Sequence, residues 1–599
     1  MADVVSVGTS AAATTTGGRT IGRLWREATS QSRTNPAYLI ETDEGWRSVS
    51  WEEAARRVED LAFGFLSLGV GKGDVVAIIG RTALEWTLVD FALALIGAVT
   101  AAIYPSSSGP ECHYLLGHSE AVVAVVEGDD ERARVEDNGG RNQLRHLLTF
   151  AELQQLEAKG RAYREESPDT LARAEAAVDE EDPFTYIYTS GTTGQPKACV
   201  IRHRNYSEMA AVIDRLDNFI TADDVMLLWL PLAHNFGRLM HLAGPYVGFT
   251  IAFCPDPYRV GEVLPHVRPT VLPSAPRLYE KVHAAVKGQF DSATGMKRHL
   301  IDWALAVGYR TTRLRQRGEA IPATLAIRHR LADRLVYAKV KERLGGRLRF
   351  AISGAAPLAP EIGEFFHALD ILILEGYGLT ECTTACAVNR LDRFKFGTVG
   401  LALPGFELRI AEDGEILIRS QTVFAGYLKD EQATREVLDG EGWLHSGDVG
   451  ELDEDGFLTI TDRKKDILVT AGGKNVAPQN IENALKRIVL VSHAVLVGDR
   501  RPHVVALLTL DEPEAQRWAA RHGADDDVAA LAHDERLRAE LERSVGEING
   551  KLARFEQIKR FAILPRDFSI DQEELTATMK LRRRVVEQHF ADEISDLYR

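Results

Sequence analysis

Tyr186-Ile187-Tyr188-Thr189-Ser190-Gly191-Thr192-Thr193-Gly194-Gln195-Pro196-Lys197 opens on an aromatic and β-branched run, then breaks into hydroxyl and glycine residues and ends on a lysine. The opening reads as a strand, and Ala198-Cys199-Val200-Ile201 reads as a second short one. A loop of Gly, Ser and Thr can turn backbone N–H groups and hydroxyls toward one anion, because glycine tolerates φ > 0 and close approach. Lys197 adds a compact positive charge. The pattern points to phosphate binding. It is not a Walker A loop, which runs through Gly-Lys-Ser/Thr into a helix; Pro196 precedes the lysine and a strand follows it. A plain hairpin loop would also accommodate these residues, so the surrounding chain decides between the two.

That chain has 599 residues, enough for several domain-sized units. It is 45% hydrophobic and 26% charged, the balance of a globular protein with large cores. A net charge of −16 argues against nucleic acid as the main partner, since phosphate backbones require basic surface. Five scattered cysteines favour a reducing, cytoplasmic setting over a disulfide framework. Cys382 and Cys386, four apart, could share a helix face, where core packing outweighs a zinc site. Residues 1–18 read as a disordered tail without the basic and apolar regions of a signal peptide. The most apolar stretch, Phe91 to Tyr104, is shorter than a membrane span.

Upstream of the loop, helix and strand alternate. Ser50 caps a helix with Glu53 at the capping-box position, and Val75–Ile79 and Ala121–Val126 are continuous apolar runs expected of strands buried on both faces. A helix (84–97) and a strand (99–104) lie between them, and 131–182 reads as charged helix and loop. This rhythm predicts parallel α/β layers. Downstream, Asn205 is placed as the cap of a helix over 206–217, and Val225–Leu230 as a strand leading to His234, a candidate site residue, although a lone histidine is more often structural. Residues 278–344 read as long basic helices with a solvated face. Strands at Leu348–Ile352 and Ile371–Leu374 run into the small-residue loops Ser353–Leu358 and Glu375–Glu381, and ligands of α/β sheets sit at such strand ends. Tyr377 offers a flat face for a base, and Glu381 hard oxygens for Mg²⁺. From about 397 the texture becomes short alternating strands, a small antiparallel barrel or sheet. A charged break at Thr461–Asp466 marks a boundary before a small α+β unit.

Thr189–Lys197, Glu375–Glu381, Gly442–Gly450, Thr461–Asn475 and Thr576–Lys580 stand in the order and spacing of the adenylate-forming enzymes. Across roughly 40–599 the chain resembles the acyl-CoA synthetase, luciferase and peptide-synthetase adenylation superfamily, and most of all bacterial long-chain fatty acid–CoA ligases. It departs from the usual pattern in having Gly354-Ala355-Ala356-Pro357 for Gly-Gly-Ala-Pro, and Asn235 and Gly237 where bulkier residues are common on the acyl side.

The resemblance implies an α/β protein. Its N-terminal AMP-binding domain (19–462) would have doubly wound α/β layers and a small β-barrel subdomain at about 397–461. A small mobile α+β domain (463–599) would follow a hinge at Asp462. It implies activation of a fatty acid by ATP to acyl-AMP, then transfer to coenzyme A. By the same resemblance Thr189, Ser190, Gly191, Thr192, Thr193, Gly194 and Lys197 cradle phosphates. Glu375, Gly376, Tyr377 and Gly378 border the adenine together with Gly354, Ala355 and Ala356. Thr380 touches the α-phosphate, Glu381 holds Mg²⁺, Asp448 takes the ribose hydroxyls, and Arg463 contacts ribose or phosphate. Lys580 serves the first step, Gly472, Gly473 and Lys474 come in for the second, and His234 lines the carboxylate end. A carrier-protein acceptor, or a lipid- and nucleotide-binding protein without turnover, would share these motifs. Chain length, oligomeric state and peripheral contact with a membrane stay open.

Overall fold

A computed structural model describes residues 19–140, 144–189, 195–576 and 581–599. The tail 1–18, Ser190, Gly191, Thr192, Thr193, Gly194 and Lys580 lie outside the described residues.

Two large sheets carry the first two-thirds of the chain. In the first, the strands run His146–Thr149, Ala121–Val126, Val75–Ile79, Val99–Ile103, Pro183–Thr189, Lys197–Arg202 across the sheet. All neighbours are parallel except the last pair, which is a hairpin. Val75–Ile79 and Val99–Ile103 are buried along their whole length, which is why they read as unbroken apolar runs. The second sheet has nine strands, parallel through its centre: Ile373–Tyr377, Phe350–Ser353, Val271–Ser274, Val225–Leu228, Thr250–Phe253 and Tyr38–Thr42 in that order. Antiparallel strands finish both of its edges. Helix Leu84–Ile96 is apolar almost all round and buried at every position except Glu85. It contributes to the largest core cluster, which takes in residues of both sheets.

The β-rich region is a four-stranded antiparallel sheet, Glu407–Ile410, Glu415–Arg419, Leu444–Leu452, Leu458–Arg463. Its first and last strands are opposite edges among the described residues, so it is an open sheet, not a closed barrel. After it, strands Val491–Val497, Val504–Leu510 and Ile558–Ile563 form a separate sheet. Helices including Pro478–Lys486, Glu512–His522 and Glu535–Asn549 complete that unit, with its own core around Leu485, Leu508, Trp518 and Leu541.

Several expectations shift. Helix Trp51–Ser67 is capped by Ser50 as read, but Glu53 pairs with Arg47 at 2.9 Å. A strand, His146–Thr149, lies within the segment read as helix and loop. Asn205 is not the N-cap residue but stands inside the first turn of helix His203–Asp214: its Oδ1 accepts from Arg202 N at 2.8 Å, and its buried amide donates to the carbonyls of Gln421 and Val423. The strand expected at Ile371–Leu374 is Ile373–Tyr377, because Gly376 and Tyr377 pair with Val388 and Ala387, a partner that local sequence does not reveal. Cys382 and Cys386 share no helix face: Thr380–Cys382 is a single 3₁₀ turn, and Thr383 and Thr384 follow with φ of 57° and 95°.

Candidate active site

The hairpin Pro183–Thr189/Lys197–Arg202 pairs Thr189 with Lys197, so both ends of the glycine-threonine loop arrive at one place. Lys197 Nζ lies 3.4 Å from Asp430 and 5.2 Å from the centre of the Tyr427 ring. The Tyr427 hydroxyl donates to Glu381 Oε1 at 2.7 Å. Tyr427 thus joins the lysine of one motif to the carboxylate of another. Residues 425–428 reach this position by adding to the hairpin edge, with Val200 N donating to Gly426 O and Leu428 N to Ala198 O.

Strands Phe350–Ser353 and Ile373–Tyr377 are parallel neighbours, with Ser353 opposite Glu375. The loops after them therefore leave the same sheet edge. Ala355 takes φ +70°, a left-handed conformation strained for any residue with a Cβ. Leu358 N donates to Glu375 Oε2 at 3.1 Å. Burial pushes the Glu375 carboxyl up to about 7, and that one backbone bond only partly offsets the desolvation. Gly378 allows the loop to fold back on itself, since a Cβ there would stand 1.9 Å from Thr384 O.

The four-stranded sheet contributes Asp448, buried on Leu444–Leu452. Tyr377 donates its hydroxyl to Asp448 Oδ2 at 2.7 Å, and Arg463 Nε is 3.3 Å from Oδ1. Burial and the Asp448 charge both hold the Tyr377 hydroxyl in its protonated form. His234 caps helix Asn235–Ala243 and accepts from Phe236 N through Nδ1 at 3.1 Å, so the neutral ring carries its proton on Nε2.

Thr189, Lys197, His234, Gly354, Ala355, Ala356, Glu375, Gly376, Tyr377, Gly378, Thr380, Glu381, Asp448 and Arg463 all line one cavity of about 1050 Å³. One limb of it is apolar. Met209, Val212, Ile213 and Leu216, at helical spacing, form it with Phe219, Ile220, Leu239 and Met240. Asn235 stands between the polar and apolar parts: it accepts from the Tyr206 hydroxyl and donates to Thr380 O at 3.4 Å. Gly237 is not among the lining residues. A Cβ there would lie 2.5 Å from Pro231 O, so close backbone approach accounts for this glycine, not an opening on the acyl side.

A second cavity of about 2100 Å³ shares His234, Ala355, Ala356 and Arg463 with the first and extends to the last unit of the chain. Thr576 and Leu581, which flank Lys580 in sequence, line it, as do Arg582, Arg583 and Arg584. Asp462, also on its wall, accepts from Arg463 N at 2.6 Å and Gln479 N at 3.4 Å. Burial raises the Asp462 carboxyl to about 6. Gly472, Gly473 and Lys474 are exposed in the turn between Leu468–Val469 and Asn475–Val476, and line neither cavity. Sequence reasoning missed Tyr427, Asp430 and the apolar limb; the first two lie over 200 residues from Lys197, and only the helical spacing of 209–216 hinted at the third.

The family model for the AMP-binding enzyme matches residues 25–428, and that for the AMP-binding enzyme C-terminal domain matches 465–599. The chain is 39% identical to the long-chain-fatty-acid–CoA ligase FadD15 of Mycobacterium bovis, over 94% of this chain and 95% of that protein. It is 31% identical to the long-chain-fatty-acid–CoA ligase ACSBG2 of Xenopus laevis, over 97% and 84%. Among solved structures, the adenylation domain of a carboxylate reductase from Mycobacterium chelonae superposes with a TM-score of 0.74 at 22% identity, over 97% and 91%. The anthranilate CoA ligase AuaEII, solved with anthranoyl-AMP, gives 0.71 at 20%, over 96% and 97%. At these identities the two structures speak to the fold alone.

Proposed function

The chain belongs to the AMP-binding enzyme family, and on that premise we propose that it is a long-chain fatty acid–CoA ligase built around the first cavity. The observation that carries this reading is the union, in one cavity, of the phosphate- and nucleotide-type residues with an apolar limb. A carboxylate at the junction would have its alkyl chain in the limb and its oxygens beside Thr380 and His234.

In the first step a carboxylate oxygen attacks the α-phosphorus of ATP, the bond to the β-phosphate oxygen breaks, and pyrophosphate leaves. In the second, the thiol of coenzyme A loses its proton to solvent as its sulfur attacks the acyl carbon, the bond from that carbon to the phosphate oxygen breaks, and AMP leaves. Neither step needs a covalent enzyme intermediate, so the protein's task is to position groups and compensate charge. Lys197 and Thr189 meet the outer phosphates, Thr380 the α-phosphate, and Tyr377 the adenine. Asp448 accepts from the ribose hydroxyls, with Arg463 beside it. Lys580 acts in the first step. Rotation about Asp462 then withdraws it and brings Gly472, Gly473 and Lys474 to the cavity.

Glu381 fits a role as Mg²⁺ ligand. Its carboxylate lines the cavity, and no cluster of three candidate ligands is found among the described residues. Magnesium takes one or two carboxylates, completing its shell with water and substrate phosphates. When bound it supplies charge neutralisation on the phosphates.

The test is release of AMP and pyrophosphate from ATP across acids from acetate to stearate, with and without coenzyme A. Turnover that requires both a long-chain acid and coenzyme A is expected. Acid-dependent pyrophosphate exchange without a coenzyme A requirement would move the acceptor elsewhere. Lys580→Ala should abolish acyl-AMP formation and spare thioester formation from supplied acyl-AMP; equal loss of both would remove Lys580 from this role.

A further inference from the structure

Helix Ala323–Ala332 and the helical turns that continue it to Arg343 have two unlike faces. The inner face buries Leu325, His329, Ala332, Val336 and Tyr337. It is firmly tied: the Tyr337 hydroxyl donates to Ala304 O at 2.5 Å, and His329 Nε2 lies 3.3 Å from Asp370. The outer face carries Ile327, Leu331 and Leu335, which are 66%, 49% and 39% exposed. Four residues apart, they fall in one stripe. Exposed Arg328, Arg330 and Arg334 flank it, and none of the three has an ion pair among the described residues. Single exposed leucines are ordinary on a protein surface, but aliphatic residues in register between arginines mark an interaction surface. The surrounding segment, 295–347, holds thirteen Lys or Arg against four Asp or Glu, a local +9 in a chain of −16.

We infer that this face docks on an anionic lipid bilayer, with Ile327, Leu331 and Leu335 in the interfacial layer and the arginines against headgroup phosphates. A helix with an apolar stripe bordered by cations lies in the plane of such a surface, held by apolar burial and by attraction to anionic lipid. No helix among the described residues is long and apolar enough to cross a membrane, so the contact is peripheral. A second copy of the chain is the other candidate occupant. A two-fold contact through this face would set its arginines against their own copies, which like-charge repulsion opposes. The purpose of the surface rests on the fatty-acid reading, because a long-chain acid partitions into bilayers. The binding itself does not depend on it.

The experiment is co-sedimentation of the full chain, without ATP, acid or coenzyme A, with vesicles of equal phosphatidylcholine and phosphatidylglycerol, or of phosphatidylcholine alone. Binding to the anionic vesicles is expected, weakening as salt rises from about 0.1 M to about 1 M, which shortens the screening length about threefold. Arg328→Gln/Arg330→Gln/Arg334→Gln should weaken binding by roughly fivefold per residue. Ile327→Ser/Leu331→Ser/Leu335→Ser should weaken it by at least about tenfold. The arginine variant should keep the parent's melting temperature, and the serine variant, which gives up the half-buried parts of Leu331 and Leu335, should melt somewhat lower but in one cooperative transition and be compared with the parent well below it. No binding by the parent chain, or undiminished binding by either variant, overturns the proposal. Self-association abolished by the serine variant, with no vesicle binding, assigns the face to a second copy. Because the vesicle assay contains no substrate, its failure and a failure of the ligase reading are separately visible.

Discussion

Asp90 and Glu375 are both buried carboxylates, and their surroundings treat them in opposite ways. Asp90 lies in a cluster with no exposed side chain: Arg238 donates to it through Nε at 3.1 Å and Nη2 at 2.5 Å, and His241 and Thr100 also reach it. Burial alone would raise its pKa, but Arg238 and His241 prevail and hold it below the usual carboxylate range. Glu375, at the cavity, has one backbone N–H and no cationic partner among the described residues, and is pushed up to about 7. The first region is a closed account of charge behind the helix that carries Asn235 and Phe236. The second leaves its carboxyl without a compensating charge among the described residues. A buried carboxylate without a cation, at the end of a sheet strand, is a mark of a place built to be completed by a ligand.

The strongest way to break this contrast is to open the closed cluster. Arg238→Met leaves Asp90 buried without its main partner, and urea unfolding should show a loss of about 4 kcal/mol. Replacing Asp90 by Leu in the same chain should recover much of it, since an apolar pair needs no compensation. At the other pole, Glu375→Gln tests whether the cavity carboxyl carries a pH-dependent penalty. The folded pKa lies above the unfolded value near 4.5, so the native state holds more protons and stability falls as pH rises. Measured against the Gln variant, the parent should lose about 3 kcal/mol between about pH 4.5 and about pH 8, nearly all of it once pH passes the folded pKa. A flat difference would place a hidden cation beside Glu375. Asp448→Asn should be mild in stability and harmful in function, with kcat/KM for ATP falling about thirtyfold, near 2 kcal/mol. If unfolding shifts as much as activity, Asp448 belongs with Asp90 as scaffold. The smallest effect is expected at Ala355: Gly removes the left-handed strain and should raise stability by about 1 kcal/mol.

The contrast also explains what the chain disclosed in advance. Val75–Ile79 and Ala121–Val126 were readable because burial on both faces removes polar residues, a local signature. Glu375, Tyr377, Thr380 and Glu381 were readable because a site motif is contiguous in sequence, and the structure brings them to the cavity with Thr189, Lys197 and Asp448. Asp90, Arg238 and His241 were not: a charge inside an apolar helix resembles an exposed one until its partner, 148 residues away, is in place. Tyr427 stayed hidden for the same reason, since it meets Lys197 and Glu381 only through strand addition. The stripe of Ile327, Leu331 and Leu335 was obscured differently. Its arginine neighbours made this face read as plain solvated surface, and its four-residue spacing resembles that of a core face.

All five cysteines are buried, and burial raises the thiols of Cys112 and Cys254 to about 12 and about 11. The thiolate is the form that attacks thiol reagents, so buried thiols with raised pKa values react little at neutral pH. It is therefore a natural blank for site-directed labelling. A cysteine placed at the exposed Arg500 and another at the exposed Met296 would be the reactive pair, and energy transfer between dyes on them would follow the last unit of the chain through a catalytic cycle.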